Sequence, residues 1–301
     1  LENRFIENTK QLAARSDHAL DVKDVDIANY APGKEFSTQQ KEVIRNICGG
    51  SNLNVLEGWP GAGKSTVARE IVRQYKEAGY EIVAAAPTNK AAQELSEKLG
   101  IEVLTTSKLR MRWQYDRGAV EVSLGLSTEY FKEKLYDLEE GALNKKSLLI
   151  LDEASMLDVA TSDYFVSEVR KSGAKLVALG DNNQNQAIGS KGSFSRMGEL
   201  GEWNMLTEVN RHQNPDETIR ELHIEATSAL CNYQPLKAIS IYDQLGKINI
   251  LENEDEKQAA IASKYIEKVI GLSETKGISV NEAVKKVVVS AYTNAEVNNL
   301  N

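Results

Sequence analysis

The stretch LNVLEGWPGAGKST, residues 53–66, constrains the fold of this chain more than any other. An apolar run enters it and a helix-forming segment, STVAREIVRQYKEAG, leaves it; between them Gly58, Gly63, Lys64 and Ser65 satisfy the spacing G-x-x-x-x-G-K-[ST]. Glycines at 58, 61 and 63 permit positive φ and close backbone approach. Consecutive N–H groups can then converge on phosphate oxygens at the partial positive charge of a helix N-terminus. Lys64 is placed to reach the β and γ phosphates and the Ser65 hydroxyl to ligate Mg²⁺, with Thr66 beside them as a further nucleotide-binding residue. Pro60 lacks an N–H and stiffens the turn. Trp59 reads as a ring packed on a neighbouring insert or lobe, in preference to a base-stacking group.

The same texture continues along the chain. Short apolar runs in LNVLEG, EIVAAAPT, SLLILDEAS and KLVALGD alternate with amphipathic stretches such as NKAAQELSEKLG. Continuous apolar strands between amphipathic helices predict an α/β fold, a parallel sheet covered on both faces.

At 301 residues the chain suffices for one large domain or two modest ones. It is 41% hydrophobic and 27% charged, and no apolar run approaches the ~18 residues of a membrane span. It begins at Leu1 and carries no signal pattern, which reads as a piece of a longer chain with a cytoplasmic origin. Cys48 and Cys231 are far apart with no partner at metal-ligand spacing, so they read as idle or buried thiols. The net charge of −8 excludes a generally basic surface but leaves room for a local phosphate-binding groove.

Residues 1–35 carry a helical apolar spacing and end in NYAPGKEF, a linker turn, so they read as a connector. The ATPase lobe is expected over 36–211, interrupted by an inserted subdomain at about 108–146. Residues 212–301 read as a helical segment, an acidic solvated run ENEDEK, a last strand KKVVVSAYT and the opening of an incomplete second lobe.

Paired acids end the strand in SLLILDEAS. Asp152 is placed to hold Mg²⁺, and Glu153 to polarise an attacking water as general base. After KLVALGD, Gln184 is placed to sense a γ-phosphate, and Arg211 in LTEVNRH to supply a guanidinium to the transferring phosphoryl group.

Together these blocks resemble superfamily 1 DNA helicases of the RecD-like branch, specifically the helicase region of TraA-type conjugative relaxases. FSTQQKEVI is similar to the adenine-reading Q motif, with Gln40 in its key place, and GWPGAGKST to motif I. AAAPTNKAAQEL resembles motif Ia, TTSKL motif Ib, LDEASM motif II, GDNNQNQAI motif III and LTEVNR motif IV. QAI after Gln184, EATSAL and VSAYTNAEVNNLN carry the TraA-type likeness. Asn185 stands where that family usually has Leu.

The resemblance implies a RecA-like P-loop lobe with a small insert and part of a second RecA-like lobe, ATP and Mg²⁺ as cofactors, and single-stranded DNA as partner, with relaxosome proteins as possible further partners. It also implies an upstream nicking domain, to which residues 1–35 would connect, and later second-lobe motifs beyond Asn301. DNA would cross the loops holding Thr88, Lys90, Thr105, Thr106, Ser107 and Lys108. Thr88 reads equally as a helix N-cap. Trp113 and Tyr115, among Arg110, Arg112 and Arg117, read as insert packing in preference to a base-stacking surface. Two alternatives stay open: a non-catalytic nucleotide- or DNA-binding remnant, and a small-molecule kinase built on the same loop.

Overall fold

The computed structural model describes residues 1–23, 26, 27, 29, 31, 33, 35–59, 61–115, 143–182, 192–208, 216–287 and 289. The chain divides into two compact units, Leu1–Pro235 and Leu236–Asn301.

The first unit is built on β1 (Leu53–Gly58), β2 (Glu81–Ala86), β3 (Leu104–Thr105), β4 (Ser147–Leu151), β5 (Lys175–Gly180) and β6 (Glu202–Leu206). They form one sheet in the order β3-β2-β4-β5-β1-β6, and every neighbouring pair is parallel. The α/β class and parallel sheet expected from the sequence are what the structure has. Every residue of β1, β4 and β5 is buried, the result of helices on both faces, which is why these strands read as largely apolar runs, with Asn54 and Glu57 of β1, Ser147 of β4 and Lys175 of β5 as buried polar exceptions.

Side chains alternate between two cores. Leu56, Leu148, Ile150, Val177 and Leu179 meet Ile44, Val67, Ile71 and Leu95 on one face, from α2 (Thr38–Gly49), α3 (Lys64–Glu77) and α4 (Asn89–Leu99). Leu53, Val55, Leu149, Leu151 and Leu176 meet Phe5, Leu109, Phe165 and Phe194 on the other. These come from α1 (Glu2–Ala13), α5 (Thr106–Tyr115), α6 (Val159–Ser172) and α7 (Ser193–Leu200). Each such fully buried side chain contributes about 1.5–3 kcal/mol. Trp59 packs against the first of these cores.

Three features depart from the linear reading. The segment read as a connector docks on α6: Phe5 and Leu12 are buried, Arg4 Nε donates to Asp163 Oδ2 at 2.8 Å, and Asn8 Nδ2 donates to Asp163 Oδ1 at 3.3 Å. The start of the expected insert is α5, whose Trp113 is buried and stacks on Tyr164 with ring centroids 6.3 Å apart. Residues 116–142 of that insert lie outside the described residues. The strand β6, EWNML, has no sequence signal because on this edge strand apolar Trp203 and Met205 are exposed and polar Asn204 is buried, so polarity does not follow burial.

α8 (Glu217–Cys231) belongs to the first unit and is capped by Asp216, whose Oδ1 accepts from the N–H of Thr218 at 2.9 Å. The second unit holds most of α9 (Pro235–Gln244), then α10 (Glu254–Lys276) and α11 (Val280–Val284). The acidic run has a structural use there: Asn253 Oδ1 accepts from the Glu256 N–H at 2.8 Å, and Glu254, Asp255 and Glu256 occupy the first turn, where the helix dipole favours negative charge. Of the expected last strand, residues 288 and 290–293 lie outside the described residues, and the described remainder is not in a strand. No helix among the described residues is long and apolar enough to cross a membrane.

Candidate nucleotide-binding site

β4, β5 and β1 are neighbours in the sheet and run in the same direction, so the segments that leave their C-terminal ends lie side by side. Those segments are Asp152–Glu153 after β4, Asp181–Asn182 after β5 and the glycine-rich loop after β1. The carboxyl edge of an open parallel sheet is where such folds bind ligands.

The loop has positive φ at two of its three glycines, while Gly58 ends β1 in extended backbone and is needed for space, a Cβ there standing 2.9 Å from Lys64 Cγ. Gly61 and Gly63 have φ of 85° and 93°, and Gly63 is the N-cap of α3. A Cβ at Gly63 would stand 2.6 Å from Gln40 Nε2, so glycine is required there by conformation and by space. Gln40 is buried and engaged at both ends of its amide: its Nε2 donates to the carbonyl of Ala62 at 3.1 Å, and its Oε1 accepts from the N–H of Ser37 at 3.1 Å. Ser37 Oγ accepts from the Gln40 N–H in return, which completes a capping box on α2. The residue that the resemblance assigns to base reading thus braces the loop from behind. Gln39 secures the other side, accepting at Oε1 from the Thr207 N–H at 3.0 Å. Lys64 Nζ donates to the carbonyl of Gly58, and Ser65 and Thr66 sit half-buried in the first turn of α3.

Asp152 and Glu153 follow β4 at this edge. The Glu153 N–H donates to Asp152 Oδ1 at 3.0 Å, and Glu153 has φ 48° and ψ 38°, a left-handed conformation rarely adopted by residues other than glycine. Burial, and then the charge of Glu153, raises the Asp152 carboxyl to about 6, against the pull of Lys98 and Lys64. A carboxyl in that condition gains from a cation brought to it. Asp152 and Ser65 are the donor types that Mg²⁺ takes from a protein when phosphates and water supply the rest, so the residues present fit that ion.

Lys98 has no motif to mark it. Its Nζ lies 3.4 Å from Ser65 Oγ, brought there from the end of α4 by the packing of α4 on α3. Cys231, at the end of α8, is a free, half-buried cysteine whose thiol is raised first by burial and then by the charge of Asp181, with Lys64 acting in the opposite sense. Gln184 and Arg211 lie outside the described residues.

The segments assigned to DNA leave β2, which lies beside β4 in the sheet, and the edge strand β3 beyond it. Thr88 is the N-cap of α4, its Oγ1 accepting from the Ala91 N–H at 3.1 Å, and Thr105 Oγ1 accepts from the Lys108 N–H at 3.2 Å. Both hydroxyls keep a proton to donate. Thr88, Lys90, Ser107 and Lys108 are exposed and Thr105 half-buried, whereas Thr106 is buried.

A family model described as an AAA domain matches residues 35–253, which include the loop, the acidic pair and the strands that carry them. The chain belongs to this AAA-domain family. This AAA domain is 30% identical over 183 residues to a probable conjugal transfer protein TraA of Sinorhizobium fredii (strain NBRC 101917 / NGR234), covering 61% of this chain and 14% of that protein. It is 28% identical over 194 residues to the conjugal transfer protein TraA of Agrobacterium fabrum (64% of this chain, 16% of that protein). It is also 28% identical over 190 residues to the ATP-dependent RecD2 DNA helicase of Deinococcus radiodurans (63% and 24%). Among solved structures, the Pif1 helicase of Candida albicans is similar at 21% identity and a TM-score of 0.42, covering 64% of this chain and 44% of that one. The chain spans between 14% and 24% of the length of these curated relatives. They bear out the RecD-like and TraA-type resemblance of the motifs.

Proposed function

We propose that this AAA domain is the motor segment of a conjugative DNA-transfer relaxase, an ATP-dependent helicase or translocase that binds ATP with Mg²⁺ and grips single-stranded DNA. The observation that supports this reading is the strand order β4-β5-β1: these parallel neighbours end at one edge of the sheet, where the acidic pair follows β4 and the phosphate cradle follows β1. Lys64 and the N–H groups of the α3 N-terminus bind the triphosphate, while Ser65 and Asp152 hold Mg²⁺. The ion, when bound, neutralises charge on the phosphates. A Glu153 carboxylate oxygen accepts the proton of the attacking water. Gln184 and Arg211 are assigned to sensing and stabilising the transferring phosphoryl group.

DNA would lie over the loops after β2 and β3, where Lys90 and Lys108 are exposed and Thr88 and Thr105 can donate to phosphates, giving sequence-independent and salt-sensitive binding. Release of phosphate from ATP, with and without single-stranded DNA, tests the reading. DNA-stimulated turnover that Lys64→Ala abolishes supports it. Nucleotide binding without turnover would identify a non-catalytic relative, and turnover retained by Lys64→Ala would reject the cradle assignment.

A further inference from the structure

Glu57 is a carboxylate in a place where a strand normally carries an apolar side chain. It is the penultimate residue of β1, immediately before the first glycine of the loop, and only 5% exposed. Its oxygens meet three donors. Oε1 accepts from the Asn182 N–H at 3.2 Å, and Oε2 accepts from Asn182 Nδ2 at 3.1 Å and from Trp203 Nε1 at 2.9 Å. Asn182 follows β5 and Trp203 is on β6, so one side chain on the middle strand holds both neighbours.

The network extends further. Asn182 Oδ1 accepts from Ser195 Oγ of α7 at 2.9 Å, and the Trp203 ring lies so close over α7 that a Cβ at Gly198 would be 2.5 Å from it. The first loop residue is tied on the same side, the Trp59 N–H donating to the Leu206 carbonyl at 3.0 Å. Buried hydrogen bonds to a charged acceptor are the strong kind, and a donor left facing another donor there is costly.

We propose that Glu57 is a positioning residue that locks the segment after β5 to the root of the phosphate loop. Asn182 opens the stretch that runs on in sequence to Gln184. Through Asn182 and Trp203, Glu57 holds the end of β5, β6 and α7 in register with the root of the phosphate loop. The kinetic part of this inference rests on the ATPase reading above; the structural link does not.

Glu57→Gln is the direct test, because an amide cannot accept at both oxygen positions, so at least one of the three donors must face an N–H. In the 301-residue chain, ATP affinity is expected to stay within about threefold while kcat falls about tenfold or more, the pattern of lost alignment rather than lost binding. Asn182→Ala is expected to reproduce that loss, and the double variant to add nothing to it, since both remove one link. Assays run below each variant's melting temperature separate this from instability. Unchanged kcat in folded Glu57→Gln, or losses that multiply in the double variant, would overturn the proposal. Hydrogen exchange at the Asn182 amide supplies a readout independent of turnover: it is expected to quicken in Glu57→Gln, and an unchanged rate rejects the link. Should the wild-type chain hydrolyse no ATP, the motor reading fails, and the exchange measurement alone decides for or against Glu57.

Discussion

The Gln40 side chain donates to the carbonyl of Ala62 at 3.1 Å, in the residue just before the left-handed Gly63. The helix that precedes β1 thereby sets the curvature of the phosphate loop. Gln40→Ala is expected to weaken ATP and GTP binding by similar factors, about tenfold each, since about 1 kcal/mol per buried hydrogen bond is lost from loop positioning. Equilibrium titration with both nucleotides checks this. A loss confined to ATP would show that the amide leaves the loop to read the base.

Glu153 holds its carboxylate at the site through a left-handed backbone, φ 48°. Replacing it with glycine removes strain of about 1 kcal/mol. Glu153→Gly is therefore expected to melt no lower than wild type while turnover falls by at least about a hundredfold. Glu153→Gln is expected to be equally inactive and to bind nucleotide normally. Calorimetry and phosphate release, run on the same preparations, check both.

Asp152 is held above its ordinary range, at about 6, by burial and by its neighbour Glu153. Near neutral pH the group is ionised at a cost to the folded protein, and Asp152→Asn, whose Oδ1 still accepts from the Glu153 N–H, removes that cost. The nucleotide-free variant is expected to be more stable by about 1–3 kcal/mol at pH 7.5, and to lose Mg²⁺-dependent turnover. Urea unfolding of both proteins tests the sign.

Lys175 sits fully buried at the opposite end of β5 from the site. Its Nζ donates to the carbonyls of Ser51 and Gly50 at 2.8 and 3.1 Å and lies over the Tyr75 ring. Burial lowers it from 10.5 to about 8. Between these values the unfolded chain binds more protons than the folded one, so stability rises with pH. Above pH 9 the buried Cys48 thiol, pushed up to about 12, acts in the opposite sense. Unfolding free energy is thus expected to climb by about 1 kcal/mol between pH 7.5 and 9, and the climb to be missing in Lys175→Met.

The strands β1, β2, β4 and β5, the glycine loop and the acidic pair were all legible in the linear chain, because burial on both faces and phosphate binding each leave a local pattern of residues. Other features were not. Phe5 and Leu12 announce a helix, but only the buried Asp163 on α6 shows that α1 docks on the lobe. EWNML exposes Trp203 and Met205 and buries Asn204, so it does not announce β6, and Lys98 acquires its neighbours only through helix packing.

What the sequence determined by itself is the chemistry available: which backbone can curl around phosphate, which acids follow a buried strand, which faces are apolar. What only the tertiary structure decided is which of these meet. Strand order rests on long-range pairing that no local propensity encodes, and that order alone brings the ends of β4, β5 and β1 together and sets Glu57 between Asn182 and Trp203.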